Sequence, residues 1–149
     1  MTRDKLVERT RSLARDFSNT IFREQDIVDF LNEGINRMKQ RITQLKGMES
    51  LIARQQSPIL LPEQYHHLLS VYSVARCFGQ DEDHYRASTH MNEFEVKLDE
   101  LKEAIENGTV VIIDPDGNTV EDEYKMDYVD LSAYWNVRKS ATLLDDDVE

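Results

Sequence analysis

One stretch decides the fold of this chain: Pro62-Glu-Gln-Tyr-His-His-Leu-Leu-Ser-Val-Tyr-Ser-Val-Ala-Arg-Cys-Phe78. As a helix, it would carry apolar side chains over most of its circumference. Pro62 suits the first helical position, and Glu63 complements the positive end of the helix dipole. Gly79 is expected to end the helix. A helix that is apolar on several sides must be surrounded by other elements, so the sequence predicts a bundle with this helix at its centre.

Three further stretches have apolar residues at helical spacing. The first covers residues 1–17, with Leu6, Leu13 and Phe17 as its apolar positions. The second has one clear stripe, made of Ile27, Leu31, Ile35, Met38, Ile42 and Leu45. The fourth helix, from about Asp81 to Asn107, is close to a heptad repeat at Tyr85, Ser88, Met91, Phe94, Leu98, Leu101 and Ile105. We therefore expect an all-α fold, a bundle of about four helices over residues 1–108.

The pattern changes after Asn107-Gly108. A β-branched run, Val110-Val-Ile-Ile113, precedes the turn sequence Asp114-Pro-Asp-Gly117. This order predicts a short β-hairpin at about 110–120, within an arm that covers residues 109–122. Because an isolated hairpin is marginal in water, we expect it to pack on the helices or on another subunit. Residues 123–149 lack sustained periodicity and are expected to form an extended acidic C-terminal segment.

The composition excludes several classes of protein. The 149 residues include one cysteine and carry a formal charge of −11, so a disulfide framework and a general nucleic-acid binder are both excluded. No apolar stretch reaches the ~18–20 residues that span a membrane. The charge is also uneven: residues 1–50 carry a net +2, residues 51–120 a net −7 and residues 121–149 a net −6. These figures favour a cytosolic protein that is acidic after its first third.

Two acid–histidine pairs have the spacing of metal ligands on a helix. They are Glu63-x-x-His66 and Asp81-x-x-His84, and di-metal bundles use Glu-x-x-His twice with further inward glutamates. The helical stripes offer no such glutamates, and both acids stand where a helix start favours them. We therefore predict no metal and no cofactor.

Other signals of chemistry are weak. In a calcium loop, Asp114, Asp116, Gly117 and Glu123 would take the third, fifth, sixth and twelfth positions, but Ile112 would take the first and cannot ligate. A turn explains these residues better. Cys77 is expected to be a small buried hydrophobe. No nucleophile elbow, phosphate-binding loop or dinucleotide fingerprint occurs, so nothing favours an enzyme.

The acidic C-terminal segment contains a cluster of large apolar residues. The only tryptophan and three of the six tyrosines fall within residues 124–135. Aromatic residues in a polar, aperiodic segment are candidate interface anchors. The partner-binding candidates are Met126, Tyr128, Leu131, Tyr134 and Trp135. The alternative, that this segment folds back onto its own bundle, stays open.

Three stretches together resemble a known family. They are Glu24-Gln-Asp-Ile-Val-Asp-Phe-Leu-Asn-Glu-Gly-Ile-Asn-Arg-Met-Lys39, then Leu60 to Phe78, then His90-Met-Asn-Glu-Phe-Glu95 with the long helix to Gly108. In the order and style of its elements, the region 20–120 resembles the head-to-tail connector (adaptor, or neck) proteins of tailed bacteriophages. No single motif within it is specific to that family.

The resemblance implies a structural role in a virion. Family members form a ring, commonly of twelve copies, under the portal protein, where they extend the DNA channel toward the next neck or tail protein. It implies that the five candidates from Met126 to Trp135 dock on the portal, that translocating DNA is contacted only passively, and that the chain is in the host cytoplasm before assembly. A like-charged wall would suit the passage of phosphates.

Two other function classes remain as alternatives. One is a small acidic regulatory protein, for example a DNA mimic, which should place acids in regular rows on one exposed face. The weaker one is a metal enzyme built on His66 and His84.

Overall fold

The computed structural model describes residues 1–16, 18 and 20–121, and this part of the chain is mainly helical. Two 3-10 turns, Thr43–Leu45 and Glu63–Tyr65, interrupt the connection between the second and third helices. The α-helices of the described residues are α1 (Arg3–Ala14), α2 (Glu24–Arg41), α3 (His67–Gln80) and α4 (His84–Glu106). The all-α prediction is therefore confirmed.

Helix α3 is the central element, as the sequence predicts. It packs against α1, α2 and α4. Its buried residues are Leu68, Leu69, Ser70, Val71, Ser73, Val74, Ala75, Cys77 and Phe78. The hydroxyls of Ser70 and Ser73 donate to the carbonyls of Leu6 in α1 and Ile27 in α2, at 3.0 and 3.3 Å. The two buried polar side chains are thus satisfied by the flanking helices.

The helices alternate in direction. Tyr72 packs on Phe94 and Phe78 stacks on His90, so α3 and α4 are antiparallel. Arg37 pairs with Glu95, and Arg41 with Asp99 four residues further along both helices, so α2 and α4 are parallel. Met1 contacts His66 and Leu6 contacts Ser70, so α1 and α3 are parallel. The four helices thus form an up-down-up-down bundle, in which the C-terminal ends of α2 and α4 lie at the same end as the start of α1.

The predicted stripe of α2 is confirmed, and it brings α3 unusually close. All six predicted residues are buried, but only the first four lie on α2, because Ile42 has extended backbone and Leu45 lies in the 3-10 turn that follows. A Cβ on Gly34 would lie 3.2 Å from Tyr72 Cδ1 and 3.4 Å from Leu69 Cδ2. Gly34 therefore allows α2 and α3 to approach each other closely.

Two of the predicted stripes are wrong in part. Leu13 in α1 is exposed, because the buried face is formed by Leu6, Val7, Thr10 and Ala14. Tyr85 in α4 is 83% exposed, whereas Phe94 is fully buried. Nine residues at about 100° each place these two on opposite faces of an α-helix. The predicted positions Tyr85, Ser88, Met91 and Phe94 are each three residues apart. Because an α-helix has about 3.6 residues per turn, positions at this spacing move steadily around the helix and do not share one face.

The helix boundaries also differ from the sequence prediction. Helix α1 ends at Ala14, where Arg15 takes a left-handed conformation (φ 59°). Helix α3 begins only at His67, since Pro62 has extended backbone (ψ 140°) and a 3-10 turn follows it. Gly79 does not end α3; the left-handed residue that reverses the chain is Glu82 (φ 62°).

The predicted β-hairpin is not supported. Within the described residues the only β-type pairing is one isolated antiparallel bridge, between Ile113 and Thr119. The chain does reverse around Asp114, and two backbone hydrogen bonds close the reversal: the Asp114 N–H donates to the Asn118 carbonyl at 2.9 Å, and the Val120 N–H donates to the Ile112 carbonyl at 2.8 Å. This pairing is too short to form a strand. Ile112 is 1% exposed and belongs to the hydrophobic core, so its burial also holds the segment against the bundle. The C-terminal segment from residue 122 onward and Phe17 lie outside the described residues.

Candidate functional site

The loop between α1 and α2 is closed by a buried carboxylate. Asp16 is fully buried and accepts hydrogen bonds from the backbone N–H groups of Thr20, Ile21 and Phe22, each at 3.1 Å. Arg11 donates to the same carboxylate at 2.7 Å. Burial would raise the pKa of Asp16, but these donors together lower the pKa below its ordinary value. The carboxylate is ionised, and its bonds hold the loop.

The first acid–histidine pair lies where the connection enters α3. His66 is buried, with Nε2 2.7 Å from the Leu61 carbonyl oxygen and Nδ1 2.8 Å from the Met1 amine. The Glu63 carboxylate lies 3.9 Å from that amine. Burial lowers the pKa of His66, although the Leu61 contact opposes this. Both ring nitrogens are engaged by the protein, so His66 fixes the connection against the start of α1.

The second pair lies at the start of α4 and is exposed. Asp83 caps this helix by accepting a hydrogen bond from the Arg86 backbone N–H at 3.3 Å. His84 is the first residue of the helix, and both it and Asp81 are exposed. Across the described residues, no group of three or more His, Cys, Asp or Glu side chains is arranged to hold a metal ion.

Cys77 is a buried hydrophobe, as predicted. It is fully buried in α3. Burial raises the pKa of its thiol to about 12. The thiol is therefore protonated at neutral pH and lacks the thiolate that nucleophilic chemistry needs.

The Asp114 carboxylate, which would bind the ion in a calcium loop, forms a hydrogen bond within a turn. Its Oδ1 accepts a hydrogen bond from the Asn118 backbone N–H at 2.7 Å. The Gly117 N–H donates to the Asp114 carbonyl at 2.9 Å, and Gly117 has the positive φ (87°) that such a turn requires. Ile112, the residue at the first calcium position, is buried in the core. This geometry agrees with a tight turn.

A groove lies at the other end of the bundle from Asp16. An open groove of about 300 Å³ runs between the 3-10 turn after α2, the end of the connection into α3 and the segment after α4. We call it the terminal groove. It is lined by Thr43, Gln44, Lys46, Gly47, Ile59, Leu60, Asp114, Pro115, Val120 and Glu121.

The backbone beside the terminal groove is strained. Leu60 has φ 70°, in the left-handed region that side chains other than those of Gly, Asn and Asp rarely adopt. A Cβ on Gly47 would lie 3.1 Å from Leu60 Cδ1, so Gly47 leaves room for that side chain. Strained residues persist where the surrounding structure holds them, and they cluster at binding sites.

The connection between α2 and α3, which contains Leu60, is hydrogen-bonded to the helices at residues that precede Leu60. The Asn32 side chain pairs with the backbone of Leu51, accepting from its N–H at 2.7 Å and donating to its carbonyl at 3.3 Å. The Arg3 backbone N–H donates to the Gln56 carbonyl at 2.8 Å. The groove wall is therefore attached to both α1 and α2.

Exposed apolar residues lie on the segment that forms the other wall. Val111 and Ile113 are 51% and 56% exposed, on either side of the buried Ile112. The described chain ends at Glu121, which itself lines the groove. The five predicted partner-binding residues, Met126, Tyr128, Leu131, Tyr134 and Trp135, lie outside the described residues. The structure thus places the attachment point of the acidic segment, and nothing beyond it.

Sequence reasoning missed the terminal groove and the role of Asp16. Neither has a periodic signal. The groove depends on a left-handed leucine, and nothing in Ile59-Leu60-Leu61 indicates that conformation. The only signal for Asp16 is its position beside Arg11 at the end of a helix.

No protein-family model, curated protein or solved structure matches this chain. Among the described residues, every helix is too short or too polar to cross a bilayer.

Proposed function

We propose that this protein is a non-enzymatic head-to-tail connector of a tailed phage virion. It assembles as a ring on the portal protein, extends the DNA channel toward the next neck or tail protein, and contacts translocating DNA only passively. The C-terminal segment docks on the portal through Met126, Tyr128, Leu131, Tyr134 and Trp135.

The observation that carries the proposal is a contrast between two parts of the molecule. In the bundle, the apolar and polar groups contact one another, whereas the segment after α4, which leads into the acidic C-terminal segment, has exposed apolar side chains. The core and the Asp16 loop are closed by internal contacts. The apolar Val111 and Ile113 are exposed just before the segment begins. Exposed apolar residues that continue into a run of aromatic residues favour protein binding over catalysis.

The charges of α4 weigh against the DNA-mimic alternative. Two of its acids, Glu95 and Asp99, are paired with Arg37 and Arg41 of α2, at 2.9 and 2.5 Å. A DNA mimic needs uninterrupted rows of unpaired acids, and these two acids, one helical turn apart, are each neutralised by an arginine of α2.

The proposal is tested by binding to the portal protein encoded in the same genome. Full-length chain is compared with a chain that ends at Asp122 and with the double variant Tyr134→Ala, Trp135→Ala. Buried aromatic anchors cost about 2 kcal/mol or more when truncated, so the double variant should bind at least roughly thirtyfold more weakly.

The matched control is Leu143→Ala with Leu144→Ala, which removes two apolar residues outside the candidate set. It should bind like the full-length chain. Equal binding of the truncated chain would refute the docking role of the segment. Absence of binding by every form, with no ring in electron micrographs of the mixture, would refute the connector proposal.

A further inference from the structure

The acidic C-terminal segment follows directly after a residue of the terminal groove. Glu121 lines the terminal groove and is the last described residue. Residues directly after it need no linker to reach the groove. At about 3.3 Å for each extended residue, Tyr124 lies within about 10 Å of Glu121 along the chain and Met126 within about 17 Å.

The side chains that follow suit the lining. The sequence Tyr124-Lys-Met-Asp-Tyr128 alternates apolar and charged residues. In an extended chain such alternation places Tyr124, Met126 and Tyr128 on one face. Ile59, Leu60 and Val120 give the groove apolar walls. One face of the segment is thus apolar, and so is the surface nearest to it.

The apolar contact carries this placement. The groove lining holds Lys46 together with the acids Asp114 and Glu121, so its charge does not attract an acidic segment. Leu60 forms part of the apolar wall, and its left-handed backbone (φ 70°) sets the position of its side chain there.

We propose that the terminal groove is the docking site of this chain's own residues 122–128, with Tyr124 and Met126 seated against Ile59 and Leu60. The inference goes beyond the connector role and concerns the free chain alone. Portal binding through Met126 would have to displace it from the groove, which would lower the apparent affinity of the free chain for the portal.

The test is a distance measurement by crosslinking. Cys77 is fully buried with a protonated thiol, so cysteines introduced elsewhere react selectively. Full-length chain with Ile59→Cys and Asp127→Cys, which keeps Tyr124 and Met126 in place, is treated with a short bismaleimide at low protein concentration. The matched control replaces Ile59→Cys by Ser57→Cys, two residues away, exposed and outside the groove lining.

Docking should raise the effective concentration of the segment's cysteine near the groove. The cysteine pair that includes position 59 should therefore crosslink within one chain about tenfold faster than the pair that includes position 57. Adding Leu60→Asp, in a variant whose circular dichroism shows an intact bundle, should remove the difference. Equal rates for both pairs would overturn the proposal. Crosslinks between chains, growing with protein concentration, would overturn it in favour of a second copy as the occupant.

Discussion

The two ends of the bundle are built differently. At the Asp16 end, formed by residues 15–23 and 79–84, a buried carboxylate accepts three backbone hydrogen bonds and an Arg11 contact, and Asp83 caps the next helix. At the groove end, formed by residues 42–62 and 107–121, the chain has a strained Leu60 and an open apolar groove.

The difference shows where this fold can bind another segment. Polar groups that are already hydrogen-bonded within the chain contribute little free energy to binding a partner, because each new hydrogen bond must replace an existing one. Left-handed residues occur at both ends, Arg15 and Glu82 at one and Leu60 at the other, so backbone strain does not distinguish them. The open apolar groove is found at the groove end, and we therefore expect a segment to bind there.

The largest effect is expected at the Asp16 end. Asp16→Ala should lower the free energy of unfolding by about 3–5 kcal/mol, since it leaves Arg11 and three backbone donors without their acceptor. Urea unfolding followed by circular dichroism measures this. The control is Asp29→Ala on the exposed surface of α2, which should change stability by less than about 0.5 kcal/mol. Equal effects of the two variants would contradict the structural role of Asp16.

A smaller loss is expected where the segment after α4 joins the core. Ile112→Ala should lower stability by about 2–4 kcal/mol, because this side chain is 1% exposed. Its neighbour Val111 is 51% exposed, so Val111→Ala is the matched control and should have little effect. If both variants unfold at the same urea concentration, the segment does not pack as described.

Leu60 offers a test of backbone strain. Glycine adopts φ 70° freely, whereas alanine pays about 1–2 kcal/mol for a left-handed conformation. Leu60→Gly should therefore be more stable than Leu60→Ala by about 1 kcal/mol, the reverse of the order in a helix. Thermal melts of the two variants measure the difference. A more stable alanine variant would argue against the left-handed conformation.

The smallest effect is a pH dependence from the histidines at the start of α3. Burial lowers the pKa of both His66 and His67 below their unfolded value of 6.5. The unfolded chain then binds more protons, so stability is complete above about pH 6.5 and falls as the pH drops toward the folded pKa values. Urea midpoints at pH 8 and pH 5 should show a decrease, reduced in His66→Gln. A stability that rises on acidification would contradict this.

The spacing of apolar residues in the sequence predicted those helices whose positions depend on burying an apolar face. The continuous apolar run of α3 and the stripe of α2 were sufficient to place a central helix and its neighbour. The β-branched run at Val110 predicted a β-hairpin, but the pairing in the described residues is limited to one bridge, between Ile113 and Thr119, and Ile112 packs in the core. Local signals could not indicate Leu60 or Asp16, whose conformations depend on contacts with distant parts of the chain.

The central claim is that binding is confined to the groove end. Hydrogen–deuterium exchange of the full-length chain, compared with a chain ending at Asp122, tests it directly. We predict slower amide exchange at residues 43–47, 59–60 and 111–113 in the full-length chain, and unchanged exchange at residues 20–22. Identical exchange of both chains at the groove end, or protection that appears at residues 20–22 instead, would contradict the account.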